Sequence, residues 1–264
     1  MSTPPVEPGT SFWAAQHYQV IAARLQPISE ALCVTARLRG GERVLDVATA
    51  TGNAALAAAR HDCRVTAIDL DPAMLAVARM RAEAEQLPLT LHTADAQQLP
   101  FPDHTFDAVL STYGAMFASD AKTTAGELLR VCRPGGRIAL ANWSPDSVIE
   151  KVFTVIRRHN PLSPDVTDAI TDWGTPHGLR TLFSAARVTA NLRHVHLHAE
   201  SCATWTDTFL RNFGPAAPPR ATPPAAVREL HADLLRAFTH HNRPAGPAAR
   251  IRHDYLEALI TPHS

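Results

Sequence analysis

The chain has 264 residues, 45% of them hydrophobic and 19% charged, the balance of a globular protein with a sizeable core. Its 25 basic and 25 acidic residues cancel, so no basic surface points to nucleic acid, and no apolar run reaches the ~20 residues that span a bilayer. Four scattered cysteines, Cys33, Cys63, Cys132 and Cys202, form no CxxC pair and read as reduced thiols of a cytoplasmic protein.

Residues 1–10 are proline-rich and carry neither the basic nor the apolar region of a secretion signal. From Phe12 to Leu38 the apolar spacing is helical, and Pro27 is expected to divide it into two helices. Short apolar strands then alternate with helices. The strands are expected at Arg43–Val47, Arg64–Ile68, Thr90–His92, Phe106–Thr112 and Arg137–Asn142. A helix covers Asn53–His61, and Asp71-Pro72 opens the next, aspartate as N-cap and proline in the first turn. A helix around Gly126–Cys132 ends at Pro134-Gly135-Gly136. Residues 144–187 read as irregular helices, Val188–Ala199 as a strand, 214–224 as a proline-rich loop, Ala226–His241 as a helix and Arg252–Ile260 as a last strand. This rhythm predicts a doubly wound α/β sheet, a parallel core with one antiparallel end.

In such a sheet a ligand binds at the carboxyl ends of the strands, first of all at the first strand–turn–helix. That turn reads Asp46-Val47-Ala48-Thr49-Ala50-Thr51-Gly52-Asn53. It lacks the G-x-G-x-x-G of dinucleotide sites and the lysine of a P-loop. The second expected strand is followed by Asp69, which can accept both hydroxyls of a ribose. The third is followed by Asp95, which can accept from an adenine amino group while the next amide meets a ring nitrogen. The three strand ends outline an adenosine without a pyrophosphate.

VLDVATATGN, AIDLDPAML, TADAQQLPFPDHTFDAVL and ELLRVCRPGGRIALANW occur in this order. The set resembles the class I S-adenosylmethionine-dependent methyltransferases, and is most similar to the small-molecule branch of ubiquinone/menaquinone-type enzymes. The resemblance is close over roughly residues 40–145. It implies a Rossmann-like sheet of seven strands, with an N-terminal helical lid (1–38) and a main domain (39–264) carrying a cap insertion at about 144–187. It implies S-adenosylmethionine as cofactor and S-adenosylhomocysteine as product. Asp46, Ala48, Thr49, Ala50 and Gly52 would then lie along the methionine part, although Asp46 also suits a brace of the turn. Asp69 would hold the ribose, Leu70 and Met74 would flank the adenine, and Asp95 and Ala96 would read its edge. Thr112 and Tyr113 would border the sulfonium. Ala50 departs from the glycine usual there.

Methyl transfer from a sulfonium needs alignment more than chemistry from the protein. Phe12, Trp13, Tyr113, Met116, Phe117 and Trp143 are the expected acceptor wall and favour an apolar or aromatic small molecule. His17, Tyr18, Tyr113 and His241 are the candidate bases. The alternating His194, His196 and His198 share one strand face but lack companion ligands, so a solvated face is expected and no metal. Arg157-Arg158-His159 suits a solvated helix face or an anionic substrate. The reading is a methyltransferase (O, C or N) of secondary or quinone-like metabolism, cytoplasmic, monomeric or homodimeric, without a nucleic-acid or membrane partner. The alternative is a natural-product cyclase or isomerase using the same cofactor pocket.

Overall fold

The computed structural model describes residues 15–145, 147–160, 166–216, 222–244 and 246–263. Seven strands form one sheet: β1 (Arg43–Val47), β2 (Arg64–Asp69), β3 (Leu89–Thr93), β4 (Phe106–Thr112), β5 (Cys132–Trp143), β6 (Ala186–Ala199) and β7 (Ala249–Pro262). Their spatial order is β3-β2-β1-β4-β5-β7-β6. The first five are parallel, and β7 runs antiparallel to both β5 and β6. Strand order reverses between β1 and β4, which opens a crevice at their carboxyl ends.

The helices follow from that order. α2 (Asn53–Ala59) and α3 (Pro72–Ala84) connect strands that step one way, while α4 (Ala121–Val131) connects β4 to β5 in the other direction. Right-handed crossovers therefore put α4 on the opposite face. β1 and β4 are buried along nearly their whole length, as a sheet covered on both faces requires. Asp71 caps α3, its side chain accepting from the Ala73 amide at 2.8 Å with Pro72 in the first turn.

Two expectations need correction. α1 (Ala15–Thr35) is one continuous helix with Pro27 inside it, not two. An internal proline costs roughly 3 kcal/mol through a lost hydrogen bond and a ring clash. Here Ile21, Ile28, Leu32 and Cys33 form one buried stripe across the proline. Each large aliphatic side chain buried contributes about 1.5–3 kcal/mol, so packing outweighs the break. Second, the Pro134-Gly135-Gly136 turn does not precede the strand but lies within β5, where the pairing with β4 shifts register between Phe106 and Ala108.

The carboxyl edge is extended by a ribbon. β7 pairs with β6 along its full length, but with β5 only from Tyr255 to Ile260. Residues 249–254 therefore overhang the end of β5 by roughly 20 Å. α8 (Cys202–Asn212) and α9 (Pro224–His240) connect the two strands of this ribbon. With α5 (Val148–His159), they close over the crevice. α6 (Thr167–Trp173) and α7 (Pro176–Leu182) pack with each other, against β5 and β6 respectively. No helix among the described residues is long and apolar enough to cross a membrane.

Candidate active site

The turn after β1 is held in an uncommon shape. Ala48 and Ala50 have φ of 54° and 47°, and Gly52, the N-cap of α2, has 88°. A side chain in this left-handed region costs about 1–2 kcal/mol. The turn is pinned from several sides. The Thr49 amide donates to the Ile68 carbonyl and the Ala50 amide to Asp69 Oδ2, both at 2.8 Å. Arg81 on α3 donates to the Thr51 carbonyl at 2.5 Å and to Asn53 Oδ1 at 2.8 Å. Gly114, after β4, lets the two loops touch: a Cβ there would stand 2.5 Å from both the Cβ and the carbonyl oxygen of Ala48.

The carboxylates sit as the strand ends place them. Asp46 is 1% exposed, and its Oδ2 accepts from the Thr49 hydroxyl at 2.5 Å and the Ala55 amide at 2.9 Å. It thus braces the turn while lining the recess beneath it. Burial pushes its carboxyl up to about 7, against the pull of those two hydrogen bonds; Asp69 adds repulsion. Asp69 accepts from the amides of Ala50 and Asp71, at 2.8 and 2.9 Å, with the Leu70 amide also favouring its charged form, and the carboxylate keeps acceptor capacity for a ligand. Burial raises it too. Asp95 accepts from the Gln97 amide at 2.8 Å.

A cavity of about 920 Å³ runs from these strand ends to the underside of α8 and α9. At one end stand Asp69, Leu70, Met74, Asp95 and Ala96; at the other Trp143, Trp205, Phe209, Phe213 and Phe238. Ala48, Ala50, Tyr18, Thr112, Tyr113 and Phe117 also line it. Thr49 lines only the adjoining recess, and Gly52 shapes the turn without facing the cavity. Met116 is buried, 1% exposed, but is not part of the wall. His241 does not line it either; its Nδ1 lies 3.0 Å from the Ala237 carbonyl oxygen. Phe12 and Trp13 lie outside the described residues, as does the side chain of His17.

The aromatic end is a packed set of rings. Phe209 stacks on Phe213 at 4.5 Å and meets Phe238 edge-on at 5.3 Å. Phe117 meets Trp143 edge-on at 5.0 Å. Tyr113 stands at the junction of the two halves. Its φ is 59°, its amide donates to the Ala141 carbonyl at 2.8 Å, and its Oη lies 3.2 Å from His253 Nε2. Burial holds Tyr113 well above the usual phenol range and pushes Tyr18 up to about 12, Asp69 adding to the latter. Both phenols stay protonated at neutral pH, so each offers a hydrogen bond and neither takes up a proton.

Sequence reasoning missed α8, and it missed that the expected helix at Ala226–His241, here α9, and His253 belong to the site. The signal for the first was Trp205, Phe209 and Phe213 at fourfold spacing behind a Ser201 cap, whose Oγ accepts from the Thr204 amide at 3.0 Å. Among the described residues no group of histidine, cysteine, aspartate or glutamate is arranged to hold a metal. His196 is engaged by Arg250, 3.2 Å from its Nδ1.

Residues 45–140 match a family model described as a methyltransferase domain. An uncharacterized protein of Mycobacterium tuberculosis is 37% identical over 208 residues, covering 77% of this chain and 76% of that protein. The demethylmenaquinone methyltransferase of Thermus thermophilus is 42% identical over 106 residues, 39% of this chain and 48% of that protein. Among solved structures, the [4+2]-cyclase SpnF shares the fold, with a TM-score of 0.55 at 19% identity, over 90% of this chain and 82% of that one.

Proposed function

Since this chain belongs to the class I S-adenosylmethionine-dependent methyltransferases, we propose that it methylates an apolar, aromatic small molecule seated between Trp143 and the α8–α9 roof. The observation that carries this reading is the continuity of one cavity between the carboxylates of the strand ends and the aromatic chamber. The donor set fits the cofactor. Asp69 retains acceptor capacity for a ribose diol, and Asp46 and Asp69, which repel one another, suit a ligand bearing positive charge. When bound, S-adenosylmethionine supplies an electrophilic methyl group.

The protein's contribution is placement. Asp69 takes the ribose, Asp95 and Ala96 the adenine edge, Leu70 and Met74 the adenine faces, and the amides of the Ala48–Gly52 turn the methionine chain. Thr112 and Tyr113 border the methyl group. Tyr18, Ile21 and Leu25 of α1 close the cavity from above as a lid, excluding water and orienting the acceptor. A quinone-like acceptor is supported by the Thermus relative and by the ring-lined chamber. Natural-product metabolism and a cytoplasmic location belong to the same proposal.

Calorimetry with S-adenosylmethionine and S-adenosylhomocysteine tests the cofactor. Binding is expected, and Asp69→Ala should weaken it at least about 100-fold, since two charge-assisted hydrogen bonds of about 1.5–3 kcal/mol each are lost. Wild-type protein that binds neither compound refutes the assignment. Labelled methyl followed into phenols and quinols tests the reaction; product formed without label would favour a cyclase, which the fold also accommodates.

A further inference from the structure

Tyr113 and His253 come from opposite directions to one point. Tyr113 ends β4 in the left-handed region, a backbone state that persists only where the surroundings enforce it. His253 lies on the overhanging part of β7, beyond the last residue paired with β5. Both line the cavity beside Trp143, and both are nearly buried, 6% and 2% exposed. The rings meet edge-on at 5.7 Å, with Tyr113 Oη 3.2 Å from His253 Nε2. Among the described residues, His253 Nδ1 has no hydrogen-bond partner.

A neutral imidazole has one proton, and its position decides what Tyr113 can do. On Nδ1 it would be a buried donor with no acceptor, the rarer and costlier defect. On Nε2 it is donated to Tyr113 Oη, and the phenol proton is left to point elsewhere. Among the described residues no protein acceptor takes that proton, so it is available to a ligand in the cavity.

We propose that His253 is a positioning residue that aims the Tyr113 hydroxyl at an oxygen of a flat, oxygenated aromatic acceptor. The inference rests on the methyltransferase reading above and narrows its substrate class. The walls beyond it are mostly rings, with the indole N–H groups of Trp143 and Trp205 as further donors, so this hydroxyl sets the oxygen-bearing edge of the acceptor at the junction with the cofactor half. The pair keeps its charge state. Burial lowers His253 to about 4, with Asp254 opposing and His241 assisting, and burial raises Tyr113, with Tyr255 and Tyr18 assisting. The hydrogen bond is therefore present from about pH 5 to pH 9.

The test compares 2-naphthol with 2-methylnaphthalene, two rings of equal size of which one carries a hydroxyl. Equilibrium dialysis is done against the full-length protein saturated with S-adenosylhomocysteine. The wild type should prefer the naphthol about tenfold, the worth of one buried hydrogen bond. Tyr113→Phe and His253→Phe should each bring that ratio close to one by weakening 2-naphthol more than 2-methylnaphthalene. Their combination should lose no more than either alone. His253→Gln, whose amide can donate from near the Nε2 position, should keep most of the preference. The preference should not vary from pH 5 to pH 9. A wild type with no preference, or one that binds neither ring, overturns the proposal. So does a His253→Phe protein that keeps the preference, or one that loses affinity equally for both rings. S-adenosylhomocysteine binding, measured in the same samples, reports separately on the cofactor reading.

Discussion

Asp46→Asn separates the brace from the charge. Asp46 is 1% exposed and its carboxyl is held up to about 7, from 3.8, chiefly by burial. A folded value raised above the unfolded one means the native state binds more protons, so stability falls as pH rises from about 4 to about 7. At about 1.4 kcal/mol per unit, the shift corresponds to a ceiling of about 4 kcal/mol, fully present above pH 7. Asparagine can still accept from the Thr49 hydroxyl and the Ala55 amide, and it removes the charge. His253 acts in the opposite sense: its value, lowered to about 4 from 6.5, makes stability rise with pH across that window. The informative quantity is therefore the difference between variant and wild type at each pH. Thermal unfolding followed by circular dichroism without ligand should show this difference growing by about 10 °C between pH 4 and pH 8, taking about 2–4 °C per kcal/mol. A difference that stays constant over that range would show that Asp46 ionises like an exposed carboxylate, and the reasoning on the turn would fall.

Two further substitutions probe the same turn. Gly114→Ala puts a methyl 2.5 Å from the Cβ and carbonyl oxygen of Ala48; chemical denaturation should show a loss of about 1–3 kcal/mol, and calorimetry at least a tenfold loss of S-adenosylmethionine affinity. Unchanged affinity would mean the two loops are not in contact in solution. Ala50→Gly relieves the left-handed backbone, worth about 1–2 kcal/mol, but adds freedom to the unfolded chain, worth about 0.4–1 kcal/mol; stability by denaturation should stay within about 1 kcal/mol of wild type, and a loss above 2 kcal/mol would show that the alanine methyl makes contacts the turn needs.

The strand ends were legible because their signals are local. An apolar run followed by Asp69, Asp71 and Pro72 marks a strand, its end and a helix start within a few residues, and the carboxylates then fall at the sheet edge by topology alone. The tight turn after β1 was legible as a turn, and its two alanines hold the left-handed angles that glycine would take without cost. The roof was not legible in the same way. Trp205, Phe209 and Phe213 lie on one helical stripe, which equally describes any buried helix face, and nothing near them says that a cavity lies beneath. Pro27 misled because the local cost of a proline was weighed without the non-local stripe that continues past it. His253 was hidden for a related reason. Its place at the site follows from where β7 stops pairing with β5, a register fixed by contacts between segments far apart in the chain.

The division of polarity along the cavity gives the residues their separate tasks. Carboxylates that are costly to ionise gather at one end, where a cationic ligand would offset their burial. At the other end the described ring walls carry no charge, and Arg24, the one cation among the described rim residues, is turned to the His198 carbonyl at 2.7 Å and lies over the Trp205 ring at 5.9 Å. A charged acceptor would have to shed its hydration there with no opposite charge to receive it. A flat apolar molecule loses little, and its single polar edge needs only one donor. Tyr113 is the residue at the boundary, and the strain in its backbone is sustained by β5 on one side and by the ribbon that carries His253 on the other. Placement of the acceptor thus depends on the two late strands as much as on the five that hold the cofactor turn.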